Sequence, residues 1–134
     1  MKTTTALIEM GRDGTFGIFT PDIDHTIIGD GNSVAEAKAD FENSVQEMIL
    51  SYTETGREIP DEIKNLKFEY KYDLASFFNF YRCINATQLA KVAGLNASLM
   101  RKYRVGITYI SEKQTKKVEQ ALHRLGAELM AVKL

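Results

Sequence analysis

The sequence predicts an α+β fold, with strands and one long helix in the first half and only helices in the second. Three observations predict it: β-rich runs separated by turns up to Gly29, an amphipathic helical pattern after Ser33, and helical periodicity from Leu74 onward. Residues 1–72 carry 7 Lys/Arg and 14 Asp/Glu, and residues 73–134 carry 10 and 4, so the halves are −7 and +6. This asymmetry predicts two modules with differently charged partners, and nucleic acid is a candidate for the basic one.

The first half begins with three predicted strands: residues 4–10, 15–21 and 25–29. Between the first two, Asp13-Gly14 predicts a hairpin, because Gly accepts the positive φ that such turns require. We therefore expect these two strands to be antiparallel neighbours. A further strand is predicted where Phe68, Tyr70 and Tyr72 alternate with charged residues.

A long amphipathic helix is predicted between these strands. Its apolar residues recur at three- and four-residue steps: Val34, Ala37, Phe41, Val45, Met48, Ile49 and Tyr52. Ser33 and Glu36 form an S-x-x-E capping box, in which each side chain bonds the backbone N–H of the other residue. Gly56 followed by Pro60 predicts the end of the helix. The first half is thus expected to be a β-β-β-α-β layer pair, with one helix on a small sheet.

Four helices are predicted after Asp73. The first has Leu74, Phe77, Phe78 and Tyr81 on one face, and the others span residues 85–93, 96–104 and 111–125. Asn85-x-x-Gln88 caps the second helix, and Gly94 can end it in the left-handed conformation. Asn96 then caps the third. Two helices joined by such a short turn predict a helix-turn-helix motif, whose second helix enters the DNA major groove.

Seven residues are predicted to bind DNA: Asn85, Asn96, Ala97, Ser98, Arg101, Lys102 and Arg104. Leu95, Met100 and Tyr103 should face the core, which leaves the opposite side of the helix for the groove. Arg and Lys donate to guanine, an Ala methyl packs on thymine, and a helix N-terminus binds phosphate. The lysines of the last helix would add salt-sensitive phosphate contacts. The alternative is a plain helical bundle with solubilising charges, but the caps, the turn and the basic charge together favour DNA.

Short motifs also follow one another in a definite order. They are Phe16-x-x-x-x-Pro21-Asp22, Gly29-x-Gly31-x-Ser33-x-x-Glu36-Ala37, Gly56-x-x-Ile59-Pro60 and, in the second half, Gln88-Leu89-Ala90-x-x-x-Gly94-Leu95 through Gly106. The first half resembles HicB antitoxins, and the second half resembles the phage-repressor type of helix-turn-helix. Pro21, Gly29, Gly31 and Gly56 are expected to shape the backbone rather than to contact a partner.

The resemblance implies a partial ribonuclease-H-like fold for residues 1–72, which would bind and inhibit a HicA-like toxin that cleaves mRNA. It implies a DNA-binding and dimerisation domain for residues 73–134. The whole chain would then be the antitoxin of a type II toxin–antitoxin system that represses its own operon as a homodimer or higher homo-oligomer. An acidic first half suits a basic, RNA-binding toxin. The alternative is a stand-alone helix-turn-helix regulator whose first half senses a ligand or only dimerises.

Catalysis is not expected, and a degenerate nuclease ranks third among the interpretations. The carboxylates considered for such a site are the pair Asp22 and Asp24, with Glu9 and Asp13 nearby in the sequence. They lie at predicted strand ends and turns, where Asp is common for structural reasons. His25 and His123 have no second ligand at metal spacing, so no metal or cofactor site is predicted. Cys83 has no disulfide partner in the chain and is expected to be buried.

Two further expectations concern location and the end of the chain. No apolar run approaches the ~20 residues of a membrane span, and the first residues lack the apolar core of a signal peptide. A soluble cytoplasmic protein without a membrane partner is therefore expected. Residues 128–134 follow Gly126 and are too few for an independently stable helix. The segment could form a last helical turn or a strand, and we favour a strand that pairs across a dimer.

Overall fold

The computed structural model describes residues 2–134. The chain is α+β, with a mixed β-sheet and five α-helices. It divides into two compact units, the first ending at Lys71 and the second spanning Tyr72–Leu134. The division falls one residue before the boundary drawn from the sequence. Among the described residues, no helix combines the length and the apolar character of a membrane span.

The first unit contains four strands and one long helix in the predicted β-β-β-α-β order. They are β1 (Lys2–Met10), β2 (Phe16–Phe19), β3 (Ile28–Gly31), α1 (Val34–Glu54) and β4 (Leu66–Tyr72). The strands lie in the order β3-β2-β1-β4. β1 and β2 form the predicted antiparallel hairpin, with Leu7 opposite Phe19 and Met10 opposite Phe16. Gly14 in its turn has a φ of +86°, so the Asp-Gly signal identified this hairpin correctly.

The third strand begins later than predicted, at Ile28 rather than near residue 25. The residues before it form a loop whose backbone donors bind side chains. The buried hydroxyl of Thr20 accepts a hydrogen bond from the Ile27 N–H at 3.0 Å. The carboxylate of Glu62 accepts one from the Asp24 N–H. Because these backbone N–H groups bond side-chain acceptors, they are not available to a neighbouring strand, and β3 begins only after the loop.

Ser33 caps α1, but the second half of the predicted capping box is different. The Ser33 hydroxyl accepts a hydrogen bond from the Glu36 N–H at 3.1 Å, as predicted. The Glu36 carboxylate accepts one from the Asn32 N–H at 2.7 Å, and not from the N–H of Ser33. The end of β3 lies very close to this first turn, since a Cβ on Gly31 would lie 2.6 Å from the Glu36 Cβ. The carboxylate therefore meets a donor one residue earlier in the chain.

The contact between α1 and the sheet depends on Gly29. A Cβ at this position would lie 2.4 Å from the backbone nitrogen of Phe41, so only Gly permits the approach. Phe41 is fully buried, and its ring makes edge contacts with Phe68 and Tyr70 at centroid distances of 5.1 and 6.2 Å. Further along α1 the predicted apolar stripe is less buried than expected, and Ile49 is 37% exposed. The 21-residue helix extends past the four-residue strands β2 and β3.

The second unit contains the four predicted helices and one short strand. They are α2 (Leu74–Phe80), α3 (Ala86–Ala93), α4 (Ala97–Val105), β5 (Ile110–Ser111) and α5 (Glu112–Met130). The core consists of Leu74, Phe78, Ala86, Leu89, Ala90, Met100, Tyr103, Ile110, Val118 and Ala121. Met100 and Tyr103 thus face inward as predicted, and Leu95 packs against this core half-buried. The Ser111 hydroxyl caps α5 by accepting from the Gln114 N–H at 3.2 Å.

The first helix of this unit ends at Phe80, and Tyr81 is its C-cap, 49% exposed but with its ring in contact with Phe77. Two predictions for the second unit are wrong. Cys83 is exposed rather than buried, since it lies in the connection between α2 and α3. The end of the chain forms no strand, because α5 continues through Gly126 to Met130. Extending an existing helix avoids the nucleation cost that an isolated segment of this length would bear.

Candidate nucleic-acid interface

A three-residue connection joins α3 to α4, and local hydrogen bonds determine its shape. Gly94 has a φ of +73°, in the left-handed region that favours glycine. The Leu95 N–H donates to the Ala90 carbonyl at 2.8 Å. The Gly94 N–H donates to the Lys91 carbonyl at 3.3 Å. This pair of bonds is the Schellman motif, and it confirms that α3 ends at the predicted glycine.

Both helices begin at the predicted Asn caps. Asn85 Oδ1 accepts from the Gln88 N–H at 3.0 Å, and Asn96 Oδ1 accepts from the Leu99 N–H at 2.9 Å. In each cap the acceptor is the side-chain oxygen, so the NH₂ group of the same asparagine, which is exposed, can still donate a hydrogen bond. A donor at a helix N-terminus suits a phosphate oxygen, which is the contact predicted for Asn85.

The two helices share a tightly packed core. Ala90 and Met100 are fully buried, and Leu89 and Tyr103 are nearly so. All four belong to one hydrophobic cluster, in which the small Ala90 allows the helices to approach closely. Burial raises the pKa of the Tyr103 hydroxyl, so this residue remains neutral at physiological pH. Packing of this kind gives the exposed side of α4 a defined position relative to α3.

The exposed side of α4 carries most of the residues predicted to bind DNA. Ser98, Arg101, Lys102 and Arg104 are all exposed. Ala97 is half-buried and packs against the hydrophobic cluster, so it presents less of its methyl group to solvent than predicted. The structure therefore brings together one serine and three basic residues on a single short helix.

Arg101 connects the two helices through its guanidinium group. Its Nη1 donates to the Thr87 hydroxyl at 3.2 Å, and its Nη2 donates to the Ser98 hydroxyl at 3.0 Å. Thr87 is the second residue of α3 and was not identified from the sequence. Its place in the first turn after the Asn85 cap, where helix-turn-helix proteins contact DNA, is the signal that could have identified it. The two hydroxyl acceptors thus restrict the position of the Arg101 guanidinium, a planar group with five N–H donors.

The segment of chain that contains α2, α3 and α4 has no acidic side chain. Residues 74–111 include neither Asp nor Glu. Their basic residues are all exposed: Arg82, Lys91, Arg101, Lys102 and Arg104. At the start of α5, Lys113, Lys116 and Lys117 are exposed as well. An excess of positive charge of this kind attracts a polyanion and makes binding dependent on salt.

One of the carboxylates considered for metal binding, that of Asp13, contributes to loop structure. The Asp13 carboxylate accepts from the hydroxyl and from the N–H of Thr15, at 2.7 and 3.1 Å. These two bonds, the hydroxyl bond first, lower the pKa of Asp13. Among residues 2–134, no three His, Cys, Asp or Glu side chains come together in the way that a metal ion requires.

His25 is paired with a carboxylate 37 residues away in the chain. Its Nδ1 lies 2.5 Å from Oε2 of Glu62, whose other oxygen accepts the Asp24 N–H. The bond from His25, followed by the backbone bond from Asp24, lowers the pKa of Glu62. The other histidine, His123, is exposed on α5. His25 and Glu62 therefore close the loop that precedes β3.

Next to this loop the first unit has an open polar cleft of about 340 Å³. Asp22, Glu62 and Glu69 line it, together with the threonines at the start of β1 and the single basic residue Lys2. Three carboxylates against one ammonium group give the cleft an acidic character, which matches the net charge of the first half.

Comparison with known proteins leaves the chain without an assigned relative. No protein-family model matches it, and neither a curated protein nor a solved structure does.

Proposed function

We propose that the chain is a non-catalytic antitoxin and autorepressor of the HicB type. In this proposal the second unit is a helix-turn-helix domain that binds operator DNA, and the first unit inhibits a HicA-like toxin that cleaves mRNA. The observation that carries the proposal is the α3–α4 pair, which has a short capped turn and an arginine hydrogen-bonded between the two helices. The order of the HicB-like motifs in the first unit supports the antitoxin role.

The proposed recognition helix is α4. Arg101 uses two of its N–H donors to bind Thr87 and Ser98, and the guanidinium group retains others that can bind O6 and N7 of guanine. Lys102 and Arg104 supply further donors beside it, and the start of α3 and the lysines of α5 bind phosphate. Base contacts from α4 thereby give sequence preference, while the phosphate contacts supply affinity.

The first unit is proposed to bind the toxin through its acidic surface. All of its acidic residues except Glu9 and Glu62 are exposed. A toxin that binds RNA has a basic surface, so the acidic cleft lined by Asp22, Glu62 and Glu69 would attract it and compete with RNA. The β-β-β-α-β unit corresponds in this proposal to the partial ribonuclease-H-like domain of HicB antitoxins. In this proposal it acts by binding alone.

The operator part is tested by titrating the full chain against the DNA upstream of its own reading frame. Arg101→Ala combined with Lys102→Ala should weaken specific binding at least about tenfold, because each base contact contributes roughly 1–3 kcal/mol. Lys64→Ala with Lys67→Ala removes the same charge from exposed positions of the first unit and is the matched control. Equal operator affinity in both double variants would remove α4 from the proposal.

The antitoxin part is tested by co-expression with the product of the neighbouring reading frame, which should be short and basic. The chain should restore growth, and the Arg101→Ala, Lys102→Ala variant should do so equally well, because toxin binding is assigned to the other unit. Failure of the wild-type chain to restore growth would favour a different first-unit function.

That different function is a stand-alone regulator that senses a small apolar ligand. A cavity of about 290 Å³ in the first unit favours it as the second candidate. The cavity lies between α1 and the chain that leads into β4, and its walls include Val45, Met48, Ile63 and Phe68. Operator binding that changes with an added apolar ligand, in the absence of any toxin, would support this candidate.

A further inference from the structure

β3 is the first strand in the order of the sheet, so it has a neighbouring strand, β2, on one side only. The N–H and C=O groups on the other side of an edge strand can pair with an extended segment of another chain. Proteins often protect such an edge with Lys or Pro, and residues 28–31 contain neither. Ile28, the first residue of β3, is also 63% exposed. The strand thus lacks two common forms of protection of its own.

Two carboxylates from α1 bond to the backbone at this edge. Asp40 Oδ2 accepts a hydrogen bond from the Asp30 N–H at 2.9 Å, and Glu36 Oε2 accepts one from the Asn32 N–H at 2.7 Å. Asp30 is opposite Gly17 in the pairing with β2, yet its N–H bonds to α1. This N–H therefore points away from β2, and that of Asn32, two residues later, points to the same side. The acceptors lie where a further strand would otherwise pair.

The geometry of α1 and β3 makes both bonds possible. A Cβ on Gly29 would lie 2.4 Å from the backbone nitrogen of Phe41, and a Cβ on Gly31 would lie 2.6 Å from the Glu36 Cβ, so the helix runs back along the strand in close contact. Glu36 and Asp40 are four residues apart and lie on the same face of α1. A helix rises about 6 Å over four residues, and a strand rises about 6.6 Å over two. Successive carboxylates of the helix therefore match alternate N–H donors of the strand.

We propose that Glu36 and Asp40 close the edge of β3 against strand addition. Their carboxylates occupy two N–H groups that a further strand would bond, and a charged acceptor binds such a donor more strongly than a neutral carbonyl does. The strand that they exclude is β3 of a second copy, because a strand can pair antiparallel with its own copy about a two-fold axis. This role requires neither a toxin nor DNA.

Removing both acceptors should open the edge. The full chain with Glu36→Ala and Asp40→Ala is compared with the wild type by sedimentation velocity, without toxin or DNA, over a series of micromolar concentrations. The weight-average sedimentation coefficient of the alanine variant should exceed that of the wild type by an amount that grows with concentration, whatever oligomer the wild type forms. Infrared spectra should show added intermolecular β-sheet, and circular dichroism should show that the helices are retained.

Glu36→Gln combined with Asp40→Asn is the matched control. It removes the same two charges but keeps a side-chain oxygen at each position as an acceptor. This amide variant should sediment as the wild type does. Equal association of the amide and alanine variants would assign the effect to lost charge and would overturn the proposed role.

Adding Ile28→Lys to the alanine variant tests where the association occurs. Lysine on an edge strand opposes pairing, because strand addition would remove water from the ammonium group. The sedimentation of the wild type should therefore return. Association that persists would lie elsewhere on the molecule and would contradict the proposed role of the two carboxylates.

The single variant Asp40→Ala gives a local measurement that needs no association. The amide proton of Asp30 should exchange with solvent deuterium at least about tenfold faster than in the wild type, because it loses a hydrogen bond to a charged group. The amide proton of Ile8, in the interior of the sheet, should keep its wild-type rate. Unchanged exchange at Asp30, or an alanine variant that sediments as the wild type does, overturns the proposal.

Discussion

The guanidinium of Arg101 donates to the Thr87 hydroxyl at 3.2 Å, across 14 residues of chain. Thr87 lies in the first turn of α3 and Arg101 in the middle of α4, so the bond spans the two helices of the proposed DNA-binding motif. A second bond to Ser98, at 3.0 Å, comes from the same helix as Arg101. The arginine proposed to contact a base is therefore oriented before DNA is present, which reduces the side-chain entropy lost on binding.

Replacing Thr87 tests this positioning role. Thr87→Val keeps the shape of the side chain and removes the hydroxyl, so Arg101 loses an acceptor worth about 0.5–1.5 kcal/mol. Operator affinity should fall by up to about tenfold, with the largest loss for sites that carry guanine at the position contacted. Thr87→Ser retains the hydroxyl and should bind normally in the same anisotropy titration. If the affinity fell equally for all DNA sequences, Thr87 would instead be contacting phosphate, irrespective of base sequence.

Reversing one charge in the acidic cleft tests the proposed toxin surface. Glu69→Lys replaces an exposed carboxylate of β4 by an ammonium group, which should repel a basic toxin and slow its association. The rate constant for association, measured by surface plasmon resonance at low salt, should decrease several-fold and depend less on salt. Glu54→Lys, at the end of α1 and outside the cleft, makes the same change in net charge. Equal rates in the two variants would mean that overall charge, and not this cleft, attracts the toxin.

Adding a methyl group at Gly29 tests the contact between α1 and the sheet. In Gly29→Ala the new Cβ would meet the backbone of Phe41 at 2.4 Å, so the helix has to move away from β3. Overpacking of this kind costs about 1–3 kcal/mol, which urea unfolding should detect as a lower midpoint. Gly17→Ala is the control in β2, since no atom lies within 4 Å of a Cβ built there. Similar unfolding midpoints for both variants would show that α1 adjusts without cost.

Acid should weaken the loop before β3 through Glu62. The bond from His25, and then that from the Asp24 N–H, holds the pKa of Glu62 below its ordinary value of 4.5. A carboxylate whose pKa is lower in the folded state contributes stability above its unfolded pKa and loses it as pH falls through the folded value. The stability of the wild-type chain should therefore decrease below about pH 4.5, and Glu62→Gln should be less sensitive in this range. Glu58→Gln removes the same charge at an exposed position and should retain the wild-type pH dependence.

The elements that depend on neighbouring residues were predictable from the sequence. Ser33, Asn85, Asn96 and Ser111 each cap the helix that their pattern predicts, because a cap joins residues only three positions apart. Gly94 ends α3 for a similarly local reason, since its left-handed conformation carries little steric cost for glycine. The exposed basic side of α4 also follows from helical periodicity alone.

Predictions from short segments failed where a neighbouring element changed the energetics. Residues 128–134 are too few for a helix of their own, yet α5 is already nucleated when it reaches Gly126. Cys83 was expected to be buried because of its apolar neighbours, but the end of α2 places it in an exposed connection. The Glu36 carboxylate binds the Asn32 N–H because β3 lies against the first turn of α1.

By itself, the sequence determined the order of the five helices and the first four strands, the N-caps of four helices and the separation of acidic from basic residues, since these depend on local spacing and composition. Tertiary structure alone decided which distant side chains meet, Arg101 with Thr87 and His25 with Glu62, and it placed Val92 and Leu129 along one groove between α3 and α5. These contacts form when packing brings separate helices and loops together, and the spacing of residues in the sequence does not predict them. The physical reason is that the folded core, rather than the spacing of residues, fixes distances between helices and loops.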